Sequence, residues 1–135
     1  MGKYGLAAVE AVSLIMDKPD CTPLKGWNQS TSEIYGENTN SQRKGCPKNA
    51  FLGLCEAGLI TGISKGNYAY KSHSLNKMYA LEAVRLLRKN SVLANDKNRL
   101  WKEVMKGQGK SHNSQMDVVL ALWNKGLIVQ EERQE

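Results

Sequence analysis

The sequence predicts a mainly helical fold, six helices arranged as two similar three-helix units with a small β-hairpin, and three observations carry that prediction. Apolar residues recur at helical spacing along most of the chain, as on amphipathic helices that bury one face. Prolines, glycines and capping residues punctuate those stretches where helices start and stop. Short words also recur in the same order in both halves: Glu10-Ala11-Val12 as Glu82-Ala83-Val84, Trp27 as Trp101, and Gly58-Leu59-Ile60 as Gly126-Leu127-Ile128.

Leu6, Val9, Val12, Ile15 and Met16 mark a first helix over 4–17, which Pro19 and Pro23 prevent from continuing. Trp27, Ile34 and Tyr35 share a face of a short second helix ending near Gly36, and the polar stretch 37–43 reads as a loop. Pro47 suits the first position of a third helix through Ala50, Phe51, Leu52, Leu54 and Cys55, with Gly58 placed to close it in a left-handed conformation. Residues 59–63 and 68–70 flank Ser64-Lys65-Gly66-Asn67, which predicts a hairpin with a glycine-containing turn.

The fourth helix covers about 75–89, with Leu81, Val84 and Leu87 on one side and Glu82 near Arg85 on the solvated side. The fifth, about 97–106, carries Leu100, Trp101, Val104 and Met105 and stops at Gly107. A sixth begins near Asn113 or Ser114, with Asp117 in its first turn where negative charge is favoured, and ends at Gly126.

The repeated words are offset by 72, 74 and 68 residues, and the drift falls in expected loops. This predicts one domain over 1–135 made of a first copy at about 3–70 and a second at about 74–130, followed by an acidic tail at 131–135. A three-helix unit of that size has a marginal core, and pairing two units buries the open face of each. The helical, apolar surroundings of Trp27, Trp101 and Trp123 place them in that core.

With 135 residues, 41% hydrophobic and 24% charged, the chain has an ordinary globular composition. No apolar run reaches bilayer length and no signal peptide is legible, so a cytoplasmic location without membrane contact is expected. Three cysteines cannot all pair within one chain and lack zinc-site spacing, so neither metal nor cofactor is expected. The net charge of +6 is uneven: residues 43–110 hold 14 Lys/Arg against 4 Asp/Glu. Such a field favours polyanionic partners on approach.

Two functional readings come from particular residues. Cys46 precedes Pro47 at a helix N-terminus with Lys44 and Lys48 nearby, where a thiolate is stabilised. With His112 or His73 as base and Asn113 to orient it, this outlines a thiol-dependent enzyme, the alternative to an interaction module. The other reading begins from the order of elements. Three helices, then Leu54-Cys55-Glu56-Ala57-Gly58-Leu59-Ile60 and a hairpin, resemble winged helix-turn-helix domains. That resemblance implies nucleic-acid binding, with the third helix presenting Lys48, Asn49, Gly53 and Glu56, and with Arg43, Lys44, Lys65 and Lys71 at phosphates. Against it, the third helix is mostly apolar and the sixth offers few basic residues, which suits buried core better.

Lys44-Gly45-Cys46-Pro47-Lys48, Phe51-Leu52-Gly53-Leu54-Cys55 and His112-Asn113-Ser114-Gln115-Met116-Asp117-Val118-Val119 also resemble a family of small uncharacterised bacterial proteins. That resemblance implies no particular activity. The sequence reading is thus an uncharacterised cytosolic interaction module whose partner is a nucleic acid or another protein.

Overall fold

The structure, a computed structural model, describes residues 2–68, 74–112 and 114–130. The helices in chain order are α1 (Lys3–Asp17), α2 (Pro23–Tyr35), α3 (Asn40–Arg43), α4 (Gly45–Glu56), α5 (Leu75–Lys89), α6 (Lys97–Met105) and α7 (Gln115–Asn124). A 3-10 helix, Ser91–Asn95, joins α5 to α6. The fold is mainly helical, and none of its described helices is long and apolar enough to cross a membrane.

Local chemistry sets most of the boundaries. Thr22 caps α2 by accepting the Lys25 N–H, and Pro23 occupies the first turn, where its missing N–H costs no helix bond. Gly36 ends α2 at a φ of 93°, which a side chain would resist. Thr39 then caps α3, a single turn inside the stretch expected to be loop. Helix α4 begins at Gly45, two residues before the expected start, so Pro47 sits in the first turn rather than opening it.

The packing of α1 differs from its apolar pattern. Gly5, Ala7, Ala8, Ala11 and Val12 are its buried residues, whereas Leu6 is 44% exposed and Met16 55% exposed. Small residues let α2 and α7 come close, and hydrophobicity alone does not mark such a face. Gly26 of α2 shows how close: a Cβ there would lie 3.1 Å from the Ala11 carbonyl oxygen. Ser30 Oγ also donates to the Ala7 carbonyl across this contact at 2.8 Å.

The expected β-hairpin is absent among the described residues, which contain no strand, and with it goes the winged-helix assignment. Two interactions take up the groups a hairpin would need. Ile60 forms an isolated antiparallel bridge with Ile128, in which the Thr61 N–H donates to the Leu127 carbonyl and the Val129 N–H to the Leu59 carbonyl, both at 2.8 Å. The Tyr68 N–H donates instead to Glu56 Oε2 at 2.9 Å, and the Gly66 N–H to the Glu56 carbonyl at 3.3 Å. The remainder of the expected second arm, 69–70, lies outside the described residues.

The ends of α4 and α7 share one bonding pattern. Leu59 N–H donates to Leu54 O and Leu127 N–H to Leu122 O; Gly58 N–H donates to Cys55 O and Gly126 N–H to Trp123 O. Gly58 and Gly126 have φ values of 74° and 72°. Both α1 and α5 are 15 residues long. The single-turn elements break the parallel, since α3 follows α2 whereas the 3-10 helix precedes α6.

The core is continuous across the chain. Helix α1 packs on α2 and α7, and α4 packs chiefly on α5, so the first part of the chain is closed by the second. Trp27 is fully buried and stacks on Phe51 at 5.2 Å; Trp101 is also buried, and Trp123 is half-buried.

Candidate functional site

The turn at Gly36, the left-handed Asn38 and the single turn α3 fold the chain back beside α2. The result is an open groove of about 820 Å³ between α2, α3 and α4. Asn28, Gln29, Ser32 and Glu33 form one wall; Glu37, Asn38, Gln42, Arg43 and Lys48 complete it. Gln42 is held from below, its Nε2 donating to Thr31 Oγ1 at 3.1 Å while the Thr31 hydroxyl donates to the Trp27 carbonyl at 2.7 Å. Arg43 is exposed and donates to Asn40 Oδ1 at 3.3 Å.

Arg43, expected at phosphates, and Lys48, expected on the presented face of the third helix, therefore meet in one groove. Lys44 turns elsewhere, with Nζ 5.6 Å from the centre of the Tyr4 ring. Asn49 is half-buried on α4. Lys65 is exposed in the segment that folds over Gly58, its Cβ 3.1 Å from where a Gly58 Cβ would stand. Lys71 and His73 lie outside the described residues, as do Asn113 and the acidic tail 131–135.

Helix α4 does not present a reading face along its length. Every residue from 50 to 56 is buried. Gly53 is covered by α5, where an added Cβ would come within 2.9 Å of the Lys77 Cα. Glu56 is 5% exposed and pairs with Lys77 Nζ at 2.8 Å while accepting from Tyr68. The expected presentation of Gly53 and Glu56 to a nucleic-acid groove is thus overturned: this part of α4 is packed among other helices.

Cys46 is half-buried in the first turn of α4. His112 stands at the start of α7, where its Nε2 accepts the Met116 N–H at 2.9 Å. An imidazole nitrogen that accepts is unprotonated, so the neutral ring carries its proton on Nδ1 and its one basic lone pair is already engaged. Trp101 packs edge-on against the ring at 5.3 Å, and burial, with help from Lys97 and Lys44 against the opposing pull of Asp117, lowers the histidine pKa. Cys55 is buried in the core, and that burial pushes its thiol pKa up. Among the described residues no group of three or more His, Cys, Asp or Glu side chains could hold a metal ion.

A second cavity, of about 440 Å³, adjoins Arg85, Arg88 and Lys89, a cluster that in sequence suggests either an anion patch or a solvated helix face. Ala57, Leu59, Leu81 and Val84 give it an apolar surface, and Arg85, Arg88 and Lys89 supply charge. Arg85 and Arg88 are recognisable in sequence as a basic run, but only the fold sets them beside Leu59.

A mainly helical fold with an open polar groove and, among the described residues, no metal cluster is the class these features define. The profile of DUF6979, a family of unknown function, matches residues 1–129, and the chain belongs to that family. No curated protein and no solved structure matches it.

Proposed function

We propose that the chain is an interaction module whose ligand seat is the groove between α2, α3 and α4, where Arg43 and Lys48 hold an anionic group of a polar partner. The observation that carries this reading is the meeting of those two cations with Asn28, Gln29, Asn38 and Gln42 in one open groove. Amide side chains offer both donors and acceptors, so they suit a ligand with many polar edges. A nucleic-acid strand is the sharper variant, supported by the two cations and by amides of the kind that pair with base edges. Glu33 and Glu37 on the same walls oppose it by balancing the charge.

The module is taken as one domain of two copies, about 3–70 and 74–130. Supporting this are the equal lengths of α1 and α5, the matched bonding after α4 and α7, and the N-caps Thr22 and Asp96, which accept from Lys25 and Arg99. The thiol-enzyme alternative is supported by the place of Cys46 in the first turn of α4 and opposed by the engagement of His112 Nε2.

Fluorescence anisotropy with mixed-sequence single-stranded RNA and duplex DNA, across a salt titration, tests the nucleic-acid variant. Binding is expected at low salt, falling steeply as salt rises, with Arg43→Ala/Lys48→Ala weakening it by roughly tenfold or more and flattening the salt dependence. No binding to either probe at low salt removes that variant. Binding that the double variant leaves unchanged removes the groove as its seat.

A further inference from the structure

Arg88 is held in an unusual way for a surface cation. Its Nη2 donates to the Val129 carbonyl at 2.6 Å, which fixes the guanidinium against the segment that pairs with Ile60. Its Nε is buried and, among the described residues, has no hydrogen-bond partner. Among the described residues Arg88 makes no ion pair, whereas neighbouring Arg85 is gripped by Glu82, with Nε 2.8 Å from Oε1. A half-buried guanidinium that no described carboxylate balances keeps its charge for an anionic acceptor, its strongest kind of partner.

The surroundings say what kind of anion. The cavity beside Arg88 is small, about 440 Å³, and its body is apolar: Ala57, Leu59, Leu81 and the almost wholly buried Val84. A phosphate or sulfate would cover none of that surface. A polyanionic strand is too large for a cavity of small-molecule size. Lys89 at the edge adds positive charge without a hydrophobic cost to the ligand body.

We propose that this cavity, separate from the polar groove, binds a small amphipathic monocarboxylate. Its carboxylate pairs with the half-buried Arg88 guanidinium beside Lys89, and its aliphatic body covers Leu59, Leu81 and Val84. Octanoate is a suitable probe because it joins one carboxylate to an unbranched aliphatic chain.

Titrating the full-length protein with octanoate while recording methyl NMR spectra tests the proposal. The expected result is saturable shifts of the Leu59, Leu81 and Val84 methyls, with octanol binding at least tenfold more weakly. Arg88→Met should weaken octanoate by tenfold or more, and Leu81→Gln, which spares the Val129 contact, should weaken octanoate and octanol alike. Absence of saturable shifts at these methyls up to millimolar octanoate overturns the proposal, as does equal binding of octanol. Binding seen only in a chain ending at Gln130 also overturns it, in favour of residues 131–135 as the occupant. If Arg88→Met fails to fold, the octanol comparison and Leu81→Gln still decide.

Discussion

His112 shows at the residue scale how a catalytic-looking side chain can be used as structure. Its Nε2 satisfies one of the N–H groups that a helix start leaves open, at Met116, and its ring fills space against Trp101. Replacing it with Ala should cost about 1–2 kcal/mol, the sum of a lost cap and lost packing. The pH dependence has a definite sign. Burial lowers the folded-state pKa below the ordinary 6.5, so the unfolded chain takes up the proton first and folding stability falls as pH drops below about 6.5 toward the folded value. Urea midpoints measured from pH 7.5 down to 5 should show this loss in the native protein and less of it in His112→Ala. An equal slope in both would mean that the ring is not buried as described. Cys46, half-buried, should alkylate with iodoacetamide no faster than an ordinary thiol at pH 7; a rate tenfold higher would restore the thiol-enzyme reading.

Gly53 carries the corresponding argument at the scale of elements. An Ala at that position would place its methyl 2.6 Å from the Lys77 Cβ and 2.9 Å from its Cα, and backbone cannot swing aside as a side-chain tip can. Gly53→Ala should therefore force α4 and α5 apart and cost about 2–3 kcal/mol, despite the gain in helix propensity. Gly109, with nothing within 4 Å of an added Cβ, is the matched control and should change stability by less than about 0.5 kcal/mol. Chemical denaturation of the two variants gives the comparison directly. The same contact explains why α4 could not be read correctly from sequence. Its apolar residues announced burial, but Gly53 and Glu56 looked available, because only the tertiary structure brings Lys77 over one and against the other. The hairpin failed for a related reason: turn residues at 64–67 were legible, but the capture of the Tyr68 N–H by the Glu56 carboxylate was not.

For the whole molecule, closure is reciprocal: α7 covers α1, and α5 covers α4. Neither half then has a complete partner for its apolar faces. A fragment of residues 1–68 should show little helical circular dichroism alone, and mixing it with a fragment of residues 74–135 should restore helicity and a cooperative melt. A stably folded 1–68 fragment would show that the first half has a sufficient core of its own. Charge is distributed at this scale as well. The basic excess of residues 43–110 does not gather on one element: Arg43 and Lys48 line the polar groove, Lys44 lies over Tyr4, and Lys77 neutralises Glu56. Arg85, Lys89 and Lys106 surround Glu82, whose carboxyl is held below its ordinary pKa first by the hydrogen bonds from Arg85.

The sequence by itself determined the helical class, most helix boundaries and the burial of Trp27 and Trp101, because periodicity, caps and chain-breaking residues act over a few positions. The small-residue face of α1, the joining of Ile60 to Ile128 and the cavity beside Arg88 were decided only by tertiary structure. Each is a contact between segments distant along the chain, and its physical cause, close backbone approach or capture of an open polar group, has no local signature.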